Sequence, residues 1–227
     1  MKRRIAEIPI IGGWARRTVK AYRGWRNSNQ IRNALQRSPR KIVIGASATF
    51  DPGWIPTEIE ALNILREADW ERFFAPGSID ALLAEHVWEH LTAEEAFLGA
   101  QLCHRYLKPG GYLRIAVPDG YHPDPEYIAW VRPGGCGAGA EDHKVLYTHA
   151  SARALFERAG FEVRLYEYFD DAGRFQYNEW SPEGGMIHRS KRFDKRNRGG
   201  KLGYTSIVLD AVKPSSPPRS PSPGLPG

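Results

Sequence analysis

The sequence predicts an open, mostly parallel α/β sheet covered on both faces by helices. Two observations carry the prediction. Short apolar runs rich in β-branched residues alternate with a helical apolar pattern, and turn residues punctuate the boundaries between them. Residues 41–45 (KIVIG) read as a buried strand stopped by glycine. Residues 54–59 (WIPTEI) read as a second strand, which Pro56 confines to an edge or a bulge because it cannot donate to a ladder. Residues 79–84 (IDALLA) form a third. Thr92 followed three residues later by Glu95 is a capping box, and Ala96, Leu98, Leu102, Tyr106 and Leu107 supply the apolar face of the helix it opens. Lys108-Pro-Gly-Gly ends that helix in a tight turn. Residues 112–117 are the next strand, 151–159 a helix stopped by Gly160, and 161–169 and 203–212 the last two strands, with an aromatic, glycine-containing insertion at 173–190 read as a hairpin or lid.

The charge is unevenly spread along the 227 residues. Residues 1–41 hold twelve Lys/Arg against the single acid Glu7, so the overall charge of +6 belongs to an N-terminal extension and the rest is mildly acidic. An acidic body argues against nucleic-acid binding, which needs a basic folded face. Two cysteines, Cys103 and Cys136, are too few for a disulfide scaffold and suit a reducing, cytoplasmic compartment. No stretch reaches the roughly 18 apolar residues of a membrane span. The organisation expected is a basic helical extension at 1–40, a single domain at 41–213, and a Pro/Ser-rich disordered tail at 214–227, where six of the seventeen prolines lie.

Residues 14–37 read as a basic helix carrying Trp14, Tyr22, Trp25, Ile31 and Leu35 and ending near Ser38-Pro39. Such a helix can rest peripherally on an anionic membrane surface, or pack by its aromatics over the body with its arginines in solvent. Both readings stay open.

In parallel α/β sheets ligands sit beyond the carboxyl ends of the strands, which directs attention to residues 45–51, 58–60, 85–90 and 118–124. Here the sequence becomes familiar. The stretch 79–119, IDALLAEHVWEHLTAEEAFLGAQLCHRYLKPGGYLRIAVPDG without its last glycine, resembles the centre of class I S-adenosylmethionine-dependent methyltransferases. The stretch 156–163 (FERAGFEV) is similar to that family's last helix and penultimate strand. The likeness covers about residues 41–213 and implies a Rossmann-like fold with S-adenosylmethionine as cofactor. By matched position it implies that Gly45, Ala46 and Ser47 are the glycine loop, that Glu58 grips the ribose hydroxyls, and that Asp69 and Trp70 frame the adenine. Glu85 and His86 would face the methionine end. Only twelve residues separate Gly45 from Glu58, too few for the helix the family places there. Either the N-terminal helix fills that place or the cofactor pocket is degraded.

The acceptor base implied is Asp119, at a strand end, or His143, in a loop, since an imidazole titrates near neutrality. The acceptor is a small molecule or a glycan-related one with an oxygen or nitrogen nucleophile, and the oligomeric state is open. Two rival readings remain. One is a non-catalytic methyltransferase-like binding module. The other is a zinc hydrolase, because His86-Val-Trp-Glu89-His90 spells H-x-x-E-H. On a helix, residues four apart share a face, so both imidazoles could hold Zn²⁺ with Glu89 as base and Glu141 or His143 as third ligand. The resemblance itself implies no metal. Residues 188–198 carry six Lys/Arg, a set that suits an anionic acceptor or a solvated loop.

Overall fold

The computed structural model describes the main chain of residues 9–47 and 50–215, with the side chains of residues 9–17 and Arg198 outside the description. The expectations for Trp14 and for the tail beyond Ser215 therefore lie outside the described residues. The strands are β1 (Lys41–Ile44), β2 (Trp54–Thr57), β3 (Ile79–Glu85), β4 (Leu107–Pro118), β5 (Glu162–Phe169), β6 (Phe175–Tyr177) and β7 (Ser206–Val212). The helices are α1 (Pro9–Ala34), α2 (Glu67–Glu71), α3 (Ala93–Tyr106), α4 (Pro125–Val131) and α5 (His149–Arg158).

One sheet runs in the order β2-β1-β3-β4-β7-β5-β6. The first four strands pair in parallel, while β7 runs antiparallel to both β4 and β5, and β6 antiparallel to β5. The Rossmann-like expectation holds. Local chemistry fixes the ends of the elements. Thr92 and Glu95 form the reciprocal capping box at α3, and Thr148 with Ser151 forms another at α5. The turn expected at Lys108–Gly111 is absorbed into β4, with Gly110 at φ +78° where the pairing with β3 shifts register.

Alternation along the strands divides the core. Ile42, Ile44, Leu82, Ala84, Leu113, Ile115, Ile207 and Leu209 face one side, packed with Ile31, Trp70, Tyr106 and Phe156 from the helices and loops. Val43, Ala81, Leu83, Ala116 and Val208 face the other, covered by Trp54, Trp180 and Ile187. The insertion is held on that second face by Arg114, which forms a bidentate pair with Asp210 across β4 and β7 (2.7 and 2.9 Å) and donates to the carbonyls of Ser181 and Gly185.

The place of the missing helix is taken by α1, the first of the two alternatives above. Its buried face is Gly24, Asn27, Ser28, Ile31 and Ala34, with Ile31 in the same cluster as Ile42 and Ile55. Asn27 clasps the outer edge of β2. Its amide donates to the carbonyl of Pro56 and accepts from the N–H of Glu58, both at 2.9 Å, as a neighbouring strand would. This corrects one expectation: the aromatics do not do the packing, for Tyr22 and Trp25 are 60% and 62% exposed. No helix among the described residues is long and apolar enough to cross a membrane.

Candidate active site

Two strand ends build the site. Leaving β1, the chain turns through Gly45 (φ +62°), Ala46 and Ser47 (φ +45°). A Cβ at position 45 would lie 3.2 Å from Val87 Cγ2, so glycine there avoids both a strained conformation and crowding. Ala46 N–H donates to the carbonyl of Thr57 (3.0 Å), which pins the turn to β2. Leaving β3, the chain turns at His86, which has a left-handed φ of +57° and donates its N–H to the carbonyl of Ala116. Two non-glycine residues in this sparsely allowed region, side by side at neighbouring strand ends, mark a site whose backbone the fold constrains.

Above these turns lies a cavity of about 780 Å³. That volume falls within the range of about 300–1,000 Å³ typical of small-molecule sites. Gly45, Ala46, Ser47, Glu85 and His86 line its base, Phe50 and Asp51 one side, and Trp130, Val131, Gly137 and Ala138 another. His188, Arg189, Asp194, Lys195, Arg196 and Tyr204 close the wall contributed by the basic segment. Glu85 holds that wall in place by accepting the N–H groups of His188 (3.0 Å) and Arg189 (2.7 Å). Arg196 pairs with Asp194 and lies 3.4 Å over the ring of Tyr204. Gly135 and Gly137 let the loop after α4 fold back, since a Cβ at either would come within 2.7 Å of the Trp130 carbonyl.

Glu89, His90 and His143 also line the cavity, beside His86. Glu89 is fully buried, with His86 Nδ1 2.9 Å from one of its oxygens. Burial alone would raise its pKa, but the charge and contact of His86, aided by His90, hold it below the ordinary carboxylate value. His143 Nδ1 lies 2.7 Å from the carbonyl of Val131. A carbonyl can only accept, so that nitrogen carries the proton, and in the neutral ring Nε2 holds the lone pair.

The structure gathers Gly45, Ala46, Ser47, Glu85, His86 and His143 around one cavity, and leaves four other expected residues outside its lining. Glu58 turns with the chain into the loop after β2, its main chain engaged by Asn27, Ala61 and Leu62. Asp69 accepts the N–H of Asn63 and closes a local turn. Trp70 is completely buried, stacked on Tyr106 at 5.1 Å with its indole N–H on the Ile64 carbonyl, and has no free face for adenine. Asp119 is likewise buried, accepting from the N–H groups of Tyr121 and Phe169 and tying β4 to the end of β5. Burial pushes its pKa up to about 6 against the pull of those two bonds. The zinc-hydrolase pattern is not formed as read. Residues 88–90 make a single 3-10 turn, and His86 precedes it, with Nδ1 2.9 Å from Glu89 and Nε2 hydrogen-bonded with Ser206.

Asp51 and Glu89 fall within the strand-end windows 45–51 and 85–90, but the sequence assigns them no cofactor or acceptor role there, and it does not foresee Trp130, Val131 or Tyr204. Asp51 had a signal, since it stands at the Pro52-Gly53 turn within the shortened loop. Glu89 had only its place in H-x-x-E-H.

A doubly wound sheet with its cavity beyond β1 and β3, where neighbouring connections diverge, is the architecture of the Rossmann-like class. Residues 31–115 match the family model described as a methyltransferase domain. Over that span the chain is similar to a methyltransferase domain. No curated protein matches the chain. Similar solved structures include a SAM-dependent methyltransferase, possible histamine N-methyltransferase, from Thermotoga maritima (13% identity, TM-score 0.46, 89% of this chain and 96% of that one). Another is a SAM-dependent methyltransferase from Archaeoglobus fulgidus (17% identity, TM-score 0.45, 87% and 94%).

Proposed function

We propose that the protein transfers a methyl group from S-adenosylmethionine to an oxygen or nitrogen of a small-molecule or glycan-related acceptor held in the 780 Å³ cavity. The observation that carries this reading is the cavity's floor: the left-handed turn at Gly45–Ser47 and the adjacent turn at His86, at the carboxyl ends of neighbouring parallel strands. These residues fit the cofactor. Glycine at 45 lets the backbone come close to a ligand, and Asp51 stands on the wall to accept from hydroxyl groups.

When bound, the cofactor supplies a methyl carbon on a positively charged sulfur, which becomes a neutral thioether once the acceptor's lone pair has taken the methyl. The chain's own residues do the rest. Phe50, Trp130 and Tyr204 exclude water and orient the two reactants, which removes much of the entropic barrier of a two-body step. His143 takes the acceptor's proton at Nε2, whose lone pair the Val131 carbonyl leaves free. Arg189, Lys195 and Arg196 give that wall a positive charge that suits an acceptor carrying an anionic group.

The exposed face of α1 supports a peripheral location on the cytoplasmic face of an anionic membrane. Val19, Tyr22 and Trp25 project beside Lys20, Arg23 and Arg26, away from the face packed on the body. Calorimetric titration with S-adenosylmethionine and S-adenosylhomocysteine, followed by a labelled-methyl screen of cell extracts, tests the reaction. Binding of both with no labelled product would instead favour a non-catalytic module.

A further inference from the structure

The acceptor end of the cavity holds polar atoms that the protein itself leaves without partners. Both carboxylate oxygens of Glu89 and Nδ1 of His90 are buried and receive no aligned hydrogen bond. His86 Nδ1, 2.9 Å from Glu89, and Asp142, 3.7 Å from His90, lie at ion-pairing distance without an aligned hydrogen bond. A buried carboxylate with no donor aimed at it costs about 1–3 kcal/mol or more, so its retention asks for a ligand. One donor atom from each of Glu89, His90 and His143 lies within 4.8 Å of the others.

The surroundings shape these three as ligands. Val131 fixes the His143 tautomer with Nε2 as the lone-pair nitrogen, as a second-sphere carbonyl does for metal-bound imidazoles. The carbonyl of Glu89 accepts the N–H groups of Lys144 (2.6 Å) and Val145 (3.3 Å), which ties the loop bearing His143 to the turn bearing Glu89 and His90. Two imidazoles and one carboxylate form a donor set for a divalent transition cation. Across a tetrahedral zinc site donors stand about 3.3 Å apart, so binding would draw these three together.

We propose that Glu89, His90 and His143 bind one divalent cation of the Zn²⁺ or Co²⁺ type, leaving an open position toward the cavity for an oxygen of the acceptor. The proposal rests on the methyltransferase reading only for the identity of that acceptor. In the cation-loaded protein the lone pair of His143 is a ligand, and the cation takes over the task of making a bound hydroxyl more acidic.

The test uses the full chain, stripped with chelator and titrated with Co²⁺ and then Zn²⁺. One equivalent is expected, with visible Co²⁺ absorption of a low-coordinate site, and Glu89→Gln and His143→Ala should each weaken binding by about tenfold or more. In the unaltered protein, Zn²⁺ should shift the ring resonances of two of the seven histidines. That readout does not depend on the variants folding. Absence of stoichiometric binding, binding retained by both variants, or shifts that leave His90 and His143 unmoved would overturn the proposal. Calorimetry with S-adenosylmethionine alone reads the cofactor end separately. Cofactor binding without cation binding removes this site and leaves the enzyme reading standing, whereas cation binding without cofactor binding does the reverse.

Discussion

His86 Nδ1 lies 2.9 Å from the buried carboxylate of Glu89, three residues on, at the junction of the cofactor and acceptor ends of the cavity. The left-handed backbone at His86 makes the contact, since it swings the imidazole back over the 3-10 turn that follows. Removing the ring by His86→Ala strands a buried charge, and breaking such a pair costs about 3 kcal/mol or more. The pH dependence has a defined sign. With His86 present, the Glu89 pKa is lowered, so its contribution is full above the unfolded pKa and lost only as pH falls. Without it, burial dominates and raises that pKa, so stability falls as pH rises above about 4. Denaturant melts of the two proteins from acid to neutral pH should therefore show a penalty that grows with pH. A constant penalty would separate Glu89 from His86.

Asp119 gives the opposite slope. Its folded pKa of about 6 lies above the unfolded value, so the native state binds the extra proton and the associated stability is full below the unfolded pKa and lost as pH rises through about 6. Asp119→Asn cannot titrate. Its stability deficit relative to the unaltered protein should shrink between about pH 4 and pH 6, by up to about 3 kcal/mol. A deficit that widens over that interval would contradict the raised pKa.

Cofactor affinity should follow the cavity wall rather than the family's spacing. Asp51→Ala is expected to weaken S-adenosylmethionine binding by about tenfold, the loss of one or two charge-assisted hydrogen bonds. Glu58→Ala, at a residue outside the lining, should leave the dissociation constant nearly unchanged. Calorimetry on the pair decides between them, and the reverse result would return the ribose to Glu58.

For His143→Ala, turnover should fall by about a hundredfold, within the usual range for loss of a general base. Cofactor affinity should hardly change, because His143 is assigned to the acceptor and to no cofactor contact. Equal losses in both quantities would remove it from proton transfer.

On α1, Trp25→Ala combined with Tyr22→Ala should reduce binding to vesicles containing anionic lipid, read by co-sedimentation, without altering the melting temperature. Each removed aromatic withdraws roughly 2 kcal/mol of apolar burial from the interface. Binding to neutral vesicles equal to that on anionic ones would exclude the electrostatic part of the reading.

Much of the fold was legible because its signals are local. The Thr92–Glu95 box, the β-branched run at 41–44 and the Pro56 edge strand each depend on neighbours in sequence, and each stands where the sequence places it. The site was less legible. Gly45, Ser47 and His86 were found through strand ends, whereas Asp69 and Trp70 looked like an adenine frame and serve a local turn and the core. Nothing in the letters distinguishes a tryptophan stacked on Tyr106 from one covering a ligand.

By itself the sequence determined the order of elements, their caps and stops, and four strand ends among which the two ligand turns fall, because hydrophobic period and turn chemistry act within a few residues. Only the tertiary structure decided that α1 stands in for the absent helix, that 188–196 walls the cavity, and that Glu89 meets His143 across 54 positions of chain. Those contacts depend on how distant segments are buried together. The free energy of burying a charge or opening a cavity is a property of the packed whole, and no short window of sequence contains it.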